Sequence, residues 1–128
     1  MATASYGKLN LISSQHIDGA AVYDSGGKEI GQIDHLMIDR ITGRVLYAVV
    51  NFSGFMALHP GSHPIPWASL RFDAARAGYV TDVTQEMVES APEYFDESWT
   101  DRVWETRVHQ HYGARPYWEE GAAIAAAR

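Results

Sequence analysis

The chain has 128 residues, with sixteen acidic residues, ten Lys or Arg and no cysteine, giving a formal net charge of −6. This length suits a single domain. Without cysteine there is no disulfide, no thiol nucleophile and no Cys-ligated metal site. Because nucleic-acid backbones are bound chiefly by Lys and Arg, the acidic balance argues against nucleic acid as a partner.

No segment is predicted to span a membrane. The longest wholly apolar run in the body of the chain, residues 45–50, is far shorter than the roughly 20 apolar residues that a span needs. The first ten residues contain one basic residue and no apolar stretch, so they do not resemble a secretory signal. We therefore expect a cytoplasmic protein, and a peripheral association with a membrane stays open.

From residue 20 to residue 83, short β-prone runs alternate with turn residues. The predicted strands cover residues 20–24, 29–40, 44–52, 55–58, 64–67, 70–73 and 78–83. A change of apolar phase predicts a β-bulge near Ile33 or Asp34. Residues 59–63 are predicted as a loop, and the prolines that follow place their segment at a sheet edge or barrel rim. The predicted fold class is mainly β: a small antiparallel β-barrel of about six strands with one or two short C-terminal helices packed on it.

The apolar period becomes helical after residue 83. Thr84 is predicted to cap a helix over residues 85–91, which Pro92 ends. Residues 115–118 are predicted to be extended, and the alanine-rich last eight residues to be frayed helix or disorder. The predicted organisation is an N-terminal segment over residues 1–12, a barrel domain over 13–91 and a helical and aromatic extension over 92–128.

A second helix is predicted from Thr100 or Asp101 to Tyr112. Ser98 or Thr100 would cap it, Asp101 would lie at its positive end, and Gly113 would close it. One face of this helix carries Trp104, Val108, His111 and Tyr112 at i, i+4, i+7 and i+8. We expect the helix to pack back on the barrel.

A string of motifs in residues 20–83 resembles the PRC-barrel family. The string is Val22-x-Asp24, Gly27-x-x-Ile30-Gly31-x-Ile33, Leu36-x-Ile38-Asp39-x-x-Thr42-Gly43-Arg44-Val45, Tyr47-Ala48-Val49-Val50 and Ile65-Pro66-Trp67-x-x-Leu70. The resemblance implies structural roles for five of these residues: Gly31, Asp39, Gly43, Pro66 and Trp67. Residues 91–118 are also similar to the tail of stand-alone bacterial members of the family.

The resemblance implies a small β-barrel that acts as an adaptor and not as an enzyme. Two described settings of the family are the cytoplasmic domain of the photosynthetic reaction centre H subunit and the C-terminal domain of a ribosome maturation factor. We therefore expect a non-catalytic protein-interaction module. The alternatives are an accessory of the photosynthetic reaction centre or of electron transport, and an accessory of RNA or ribosome maturation. The expected assembly is a homodimer, because small barrels cover their edges or pair them with a second copy.

Two glycine-containing segments have a partial likeness to catalytic or nucleotide-binding loops. Residues 24–27 resemble a serine-protease nucleophile loop, but the chain is too short for the double barrel that assembles such a site. Residues 26–31 match neither common nucleotide-binding spacing, and no helix follows them to receive a phosphate. A hairpin turn explains residues 24–27, and the glycine spacing excludes the common nucleotide-binding motifs but not every kind of nucleotide binding.

The histidines do not form a metal-binding pattern. His59 and His63 are four residues apart, which brings two ligands together on a helix, but the intervening Pro-Gly prevents one. His109 and His111 are two apart on a predicted helix, so they point in different directions. We predict no catalytic, cofactor-binding or metal-ligating residue, and whether the loop of His59 and His63 binds anything stays open.

His35 and Asp39 share a strand parity, unless the bulge shifts them. The pair is similar to the acidic and His groups that help to bring protons toward a quinone in the reaction-centre H subunit of the family that this chain resembles. The alternative is a surface histidine and a turn aspartate. Asp39 is predicted to accept backbone N–H bonds in its own turn.

Aromatic residues are concentrated in the last third of the chain: Trp99, Trp104, Tyr112, Tyr117 and Trp118. Because Trp and Tyr dominate interface hot spots, these residues are candidates for contact with a partner or a second copy. The alternative is a latch that holds the extension on the barrel, with each ring burying on the order of 150–250 Å².

Overall fold

A computed structural model describes residues 11–55 and 61–119 of the chain. Within them, six strands form one sheet that curls into a half-barrel, in the order β4-β3-β2-β1-β6-β5. The strands are β1 (Ala21–Tyr23), β2 (Glu29–Ile38), β3 (Val45–Asn51), β4 (Ser62–Pro66), β5 (Leu70–Asp73) and β6 (Gly78–Thr81). The prediction of a mainly β fold with about six strands is therefore confirmed.

One strand pair departs from the expected antiparallel arrangement. β1 and β6 are parallel, with Val22 opposite Tyr79, while the other four pairs are antiparallel. The cause lies between β4 and β5, where the short 3-10 turn Trp67–Ser69 replaces a hairpin. Because this turn does not reverse the chain along the sheet, the hairpin of β5 and β6 brings β6 beside β1 in the same direction.

A register shift in β2 confirms the predicted bulge. Ile33 lies opposite Val50 and His35 lies opposite Val49, so Asp34 is the extra residue. The bulge changes which face each following side chain points to. Ile33 is therefore buried and His35 exposed, although residues two apart share a face in a regular strand.

β4 begins earlier than the sequence predicts. Ser62 pairs with Asn51 and His63 pairs with Val50, so the loop predicted through residue 63 is wrong at its end. Pairing with the apolar β3 outweighs the turn-forming composition of this segment. The prediction that the two prolines lie at an edge is confirmed, because β4 is the end strand of the sheet. Residues 56–60, which include the rest of the predicted strand 55–58 and His59, lie outside the described residues.

The helices are α1 (Ser14–Ile17), α2 (Gln85–Glu89) and α3 (Arg102–His111). α1 was not predicted. Thr84 caps α2 as predicted, its Oγ accepting the N–H of Met87 at 3.2 Å, although the helix ends two residues before Ala91.

α3 has a different cap from the predicted Ser98 or Thr100. The Asp101 carboxylate accepts the N–H groups of Val103 and Trp104 at the positive end of the helix. Ser98 instead accepts the N–H of Phe95. Residues 117–119 form a helical turn, so the extended conformation predicted for residues 115–118 is wrong at 117 and 118. The last nine residues of the chain lie outside the described residues.

The barrel and the extension share one hydrophobic core. Residues of the sheet form its inner part, and residues of α2 and α3 complete it: Val22, Ile30, Ile33, Ala48, Val50, Ile65, Val88, Trp104, Val108 and Tyr112. Tyr47 and Val49, which alternate with Ala48 and Val50 on β3, are buried as well. Both faces of β3 are therefore covered, one by the curled sheet and the other by the extension.

Replacing Gly31 tests the closest backbone approach in the sheet. A Cβ at this position would lie 2.1 Å from the carbonyl oxygen of Asn51, so Gly31→Ala must force β2 and β3 apart. We expect a loss of at least about 3 kcal/mol in the free energy of unfolding, measured by urea denaturation.

Gly26→Ala is the matched control. Its Cβ would meet no heavy atom closer than 3.4 Å, and Gly26 has no positive φ. Equal stability of the two variants would contradict the proposed steric constraint.

Candidate functional site

Tyr47 of β3 is the point at which the extension contacts the sheet. Its ring is surrounded by aromatic rings of the extension, with centroid distances of 5.2 Å to Trp99, 5.5 Å to His109, and 6.1 Å to both Trp104 and Tyr117. The Trp99 and Tyr117 contacts are edge-on, which aromatic quadrupoles favour. The aromatic residues of the extension therefore form the predicted latch.

A buried carboxylate lies beneath this aromatic cluster. Glu105 of α3 is 8% exposed, and its Oε1 accepts hydrogen bonds from the hydroxyls of Tyr47 and Tyr117, both at 2.7 Å. Its Oε2 accepts a bond from Arg102 Nε at 3.1 Å. Because burying an unpaired charge is costly, these three donors make the position of Glu105 possible. The carboxylate thereby joins β3, α3 and the tail.

The two tyrosines remain protonated donors. Burial, followed by the hydrogen bond to Glu105, raises the pKa of Tyr47 far above its usual value and the pKa of Tyr117 to about 12. Neither hydroxyl ionises near neutral pH, so both continue to donate hydrogen bonds to the carboxylate.

His109 lies one helical turn beyond Glu105 and is 1% exposed. Its Nδ1 is 2.7 Å from the carbonyl oxygen of Glu105. A carbonyl can only accept, so Nδ1 carries the hydrogen. The imidazole ring packs against Tyr117 and Trp118, with centroid distances of 5.8 and 5.4 Å.

The predicted contact residues divide into two groups. Trp104 and Tyr112 are buried against the chain's own core, so they belong to the latch. Trp99, Tyr117 and Trp118 are partly exposed. Contact with a partner stays a prediction for these three.

The sequence analysis missed Glu105 and identified His109 only as unsuited to metal binding. The signal was present in the helix, because Glu105 and His109 are four residues apart, next to Trp104 and Val108 on the apolar face. That spacing widens the buried face of α3. His111 points elsewhere, toward the carbonyl of Met87, in agreement with the predicted divergence of the two histidines.

Three of the residues implied by the family resemblance shape the β2–β3 connection. Gly31 allows the close approach to Asn51 described above, and Gly43 adopts a φ of +77° in the turn. The Asp39 carboxylate accepts the N–H of Ile41 at 2.9 Å, as predicted. This hydrogen bond is the largest cause of the lowered pKa of the Asp39 carboxyl.

The other two implied residues support β4 and the turn after it. Pro66 is fully buried at the end of β4, opposite Tyr47. Trp67 begins the 3-10 turn after which β5 continues without a reversal of the chain direction. The Trp67 ring lies 5.5 Å from that of Tyr79.

A cleft of about 370 Å³ separates β4 from α2 and α3. Its lining includes His63 and Tyr112, whose Nε2 and hydroxyl are buried without a hydrogen-bond partner among the described residues. Burial lowers the pKa of His63. Over residues 11–55 and 61–119, no three His, Asp or Glu side chains are grouped so that they could hold a metal ion.

None of the helices in the described part of the chain has the length and apolar character needed to cross a membrane.

Removing the buried carboxylate tests whether it joins the extension to the barrel. Glu105→Ala leaves the hydroxyls of Tyr47 and Tyr117 without their acceptor, so we expect a loss of about 3 kcal/mol in the free energy of unfolding. The exposed Glu97 provides the control, since Glu97→Ala should change stability by less than about 0.5 kcal/mol. Similar values for the two variants would show that the Glu105 contacts contribute little.

The raised tyrosine pKa values predict alkaline destabilisation. Above about pH 10, unfolded tyrosines release protons that Tyr47 and Tyr117 retain in the native state. The stabilisation is therefore complete below about pH 10 and is lost as pH rises through the folded-state pKa values. In urea denaturation at increasing pH, Tyr47→Phe should reduce this decline by about 1.4 kcal/mol per pH unit. An unchanged slope would contradict the prediction.

The fold and the motif residues agree with a comparison against models of protein families. The model of the PRC-barrel domain matches residues 10–88, which is more than half of the chain. Among curated proteins, none matches this sequence. The matched region contains all six strands and ends within α2. The chain is a member of the PRC-barrel family.

Proposed function

We propose that this chain is a non-catalytic protein-interaction module that pairs with a second copy of itself. The observation that carries the proposal is a group of exposed apolar side chains at the β2–β3 turn. Ile38 and Ile41 are 52% and 90% exposed, although the core of the domain is complete without them. Exposed apolar side chains grouped together are typical of an interaction surface.

This turn adjoins the partly exposed end of the aromatic extension. Ile38 pairs with Val45, which lines the same small cleft as Tyr117. The Tyr117 ring is 5.0 Å from that of Trp118. We name the four residues Ile38, Ile41, Tyr117 and Trp118 the turn–tail surface. It combines aliphatic and aromatic side chains, as the centres of interfaces do.

A second copy suits the turn–tail surface because of the charges at its rim and the fixed position of Trp118. The adjacent Asp39 and Arg40 give its rim both signs of charge, so two identical surfaces can meet without net repulsion. Trp118 is already held in place, with the Arg102 guanidinium 3.9 Å from its ring centre. A fixed aromatic ring loses little entropy on binding.

The engagement of the buried ionisable groups supports a non-catalytic role. Glu105 accepts three hydrogen bonds from the chain's own side chains, and the Nδ1–H of His109 is held by a backbone carbonyl. A general base needs a partner proton on its substrate within hydrogen-bond reach. The carboxylate of Glu105 is instead occupied by structural donors.

Light scattering coupled to size exclusion tests the pairing. We expect the wild-type chain to have twice its monomer mass of 14.2 kDa at high concentration. Ile41→Asp should give the monomer mass, because it places a charge at the centre of the interface while its exposed position leaves the fold intact.

Phe72→Asp is the matched control. Phe72 is 56% exposed on β5, away from the turn–tail surface, so this variant should keep the dimer mass. A monomeric wild-type chain, or equal dissociation by the two substitutions, would refute pairing through this surface.

A further inference from the structure

Two polar side-chain atoms in the described part of the chain are buried without a hydrogen-bond partner, and they belong to residues of one cleft. They are Nε2 of His63 on β4 and the hydroxyl of Tyr112 at the end of α3. Both side chains line the cleft of about 370 Å³ between β4 and the helices. Because a buried polar atom without a partner is costly, two of them at one cleft indicate a binding site.

Both atoms are uncharged near neutral pH, and each can donate or accept a hydrogen bond. Burial raises the pKa of Tyr112 and lowers the pKa of His63, so the hydroxyl keeps its proton and the imidazole is neutral. A hydroxyl both donates and accepts, and Nε2 of a neutral imidazole does one or the other according to its tautomer. The group that can pair with both atoms in each of these states is another hydroxyl.

The rest of the wall is mostly apolar. Pro64 of β4, Val88 of α2 and Val108 of α3 contribute aliphatic surface. Trp104 also lines the cleft, and its indole N–H already donates to the carbonyl of Glu93 at 2.9 Å. The other aromatic lining residues are Tyr94, Phe95 and Tyr112. Aromatic side chains pack favourably against a further ring, and the volume is near the lower end of the roughly 300–1,000 Å³ of small-molecule sites. The cleft therefore suits one or two rings.

The charges of the lining exclude an anion. Glu89 and Glu93 line the cleft, and the described lining residues include no Lys or Arg. An anionic ligand would meet two like charges and no cation. Both glutamates are exposed, so they remain hydrated, and a cationic ligand would lose its own water among apolar walls and uncharged polar atoms. These conditions favour an uncharged ligand.

We propose that this cleft binds an uncharged aromatic molecule of one or two rings that carries a hydroxyl group, such as a phenol or an aromatic alcohol. The ring packs against Trp104 and the aliphatic wall. The hydroxyl forms hydrogen bonds with the Tyr112 hydroxyl and with His63 Nε2. The site is separate from the proposed pairing, since no residue of the turn–tail surface lines the cleft.

A proton–nitrogen NMR titration of the full chain with 4-methylphenol tests the site. We expect saturable shifts of the Trp104 indole N–H and of the Val88 and Val108 amides. Toluene has the same ring without the hydroxyl and should bind about tenfold more weakly. The charged probes 4-methylbenzoate and 4-methylbenzylamine should also bind more weakly than the phenol.

Three outcomes of this titration would overturn the proposal. An absence of saturable shifts with 4-methylphenol would remove the site. Equal affinity for toluene would show that the two buried polar atoms do not contact the ligand. Tighter binding of either charged probe would exclude an uncharged ligand.

Substitutions test the two polar atoms separately. Tyr112→Phe and His63→Leu should each weaken 4-methylphenol binding about tenfold and leave toluene binding unchanged, because each removes one hydrogen bond and keeps an apolar side chain. Tyr79→Phe is the matched control, since Tyr79 is 5% exposed, compared with 8% for Tyr112, and does not line the cleft. Circular dichroism verifies that each variant is folded. An equal loss in the control, or wild-type affinity in either cleft variant, would overturn the proposed contacts.

Urea denaturation without ligand tests whether the Tyr112 hydroxyl lacks a partner in the chain. Removing an unpartnered buried hydroxyl should leave the midpoint of Tyr112→Phe at or above that of the wild type. Tyr47→Phe removes a hydroxyl that donates to Glu105 at 2.7 Å, so its midpoint should fall. An equal fall for both variants would show that the Tyr112 hydroxyl is already engaged, and would overturn its role in binding.

Discussion

The hydrogen bonds of Tyr47 and Tyr117 to the buried carboxylate of Glu105 fasten the extension to the sheet. A carboxylate that is 8% exposed needs donors, and these two come from elements on either side of α3. The contact therefore fixes the orientation of α3 as well as its distance from β3. Trp104, Val108 and Tyr112 complete the hydrophobic core only in that orientation. The barrel and the extension accordingly share one hydrophobic core, although the family model covers only residues 10–88.

The placement of the extension also decides which surfaces are free. α3 packs near β4, the end strand whose prolines cannot donate to a further strand. At the other end, β5 is four residues long and its Arg71 and Asp73 are engaged with side chains of the same chain. Short and charged edges of this kind discourage additional strand pairing. The apolar turn between β2 and β3 lies outside both arrangements, and its exposed isoleucines belong to the surface for which we propose self-association.

The features that the sequence predicted correctly depend on local chemistry. The bulge at Asp34 follows from a phase change within β2, and the cap of α2 follows from one threonine. The features that it missed depend on distant partners. Glu105 is buried because Tyr47, 58 residues earlier, supplies a hydroxyl. The sequence of α3 alone does not indicate this partner. The parallel pairing of β1 and β6 likewise follows from a turn at Trp67–Ser69 that keeps the direction of the chain.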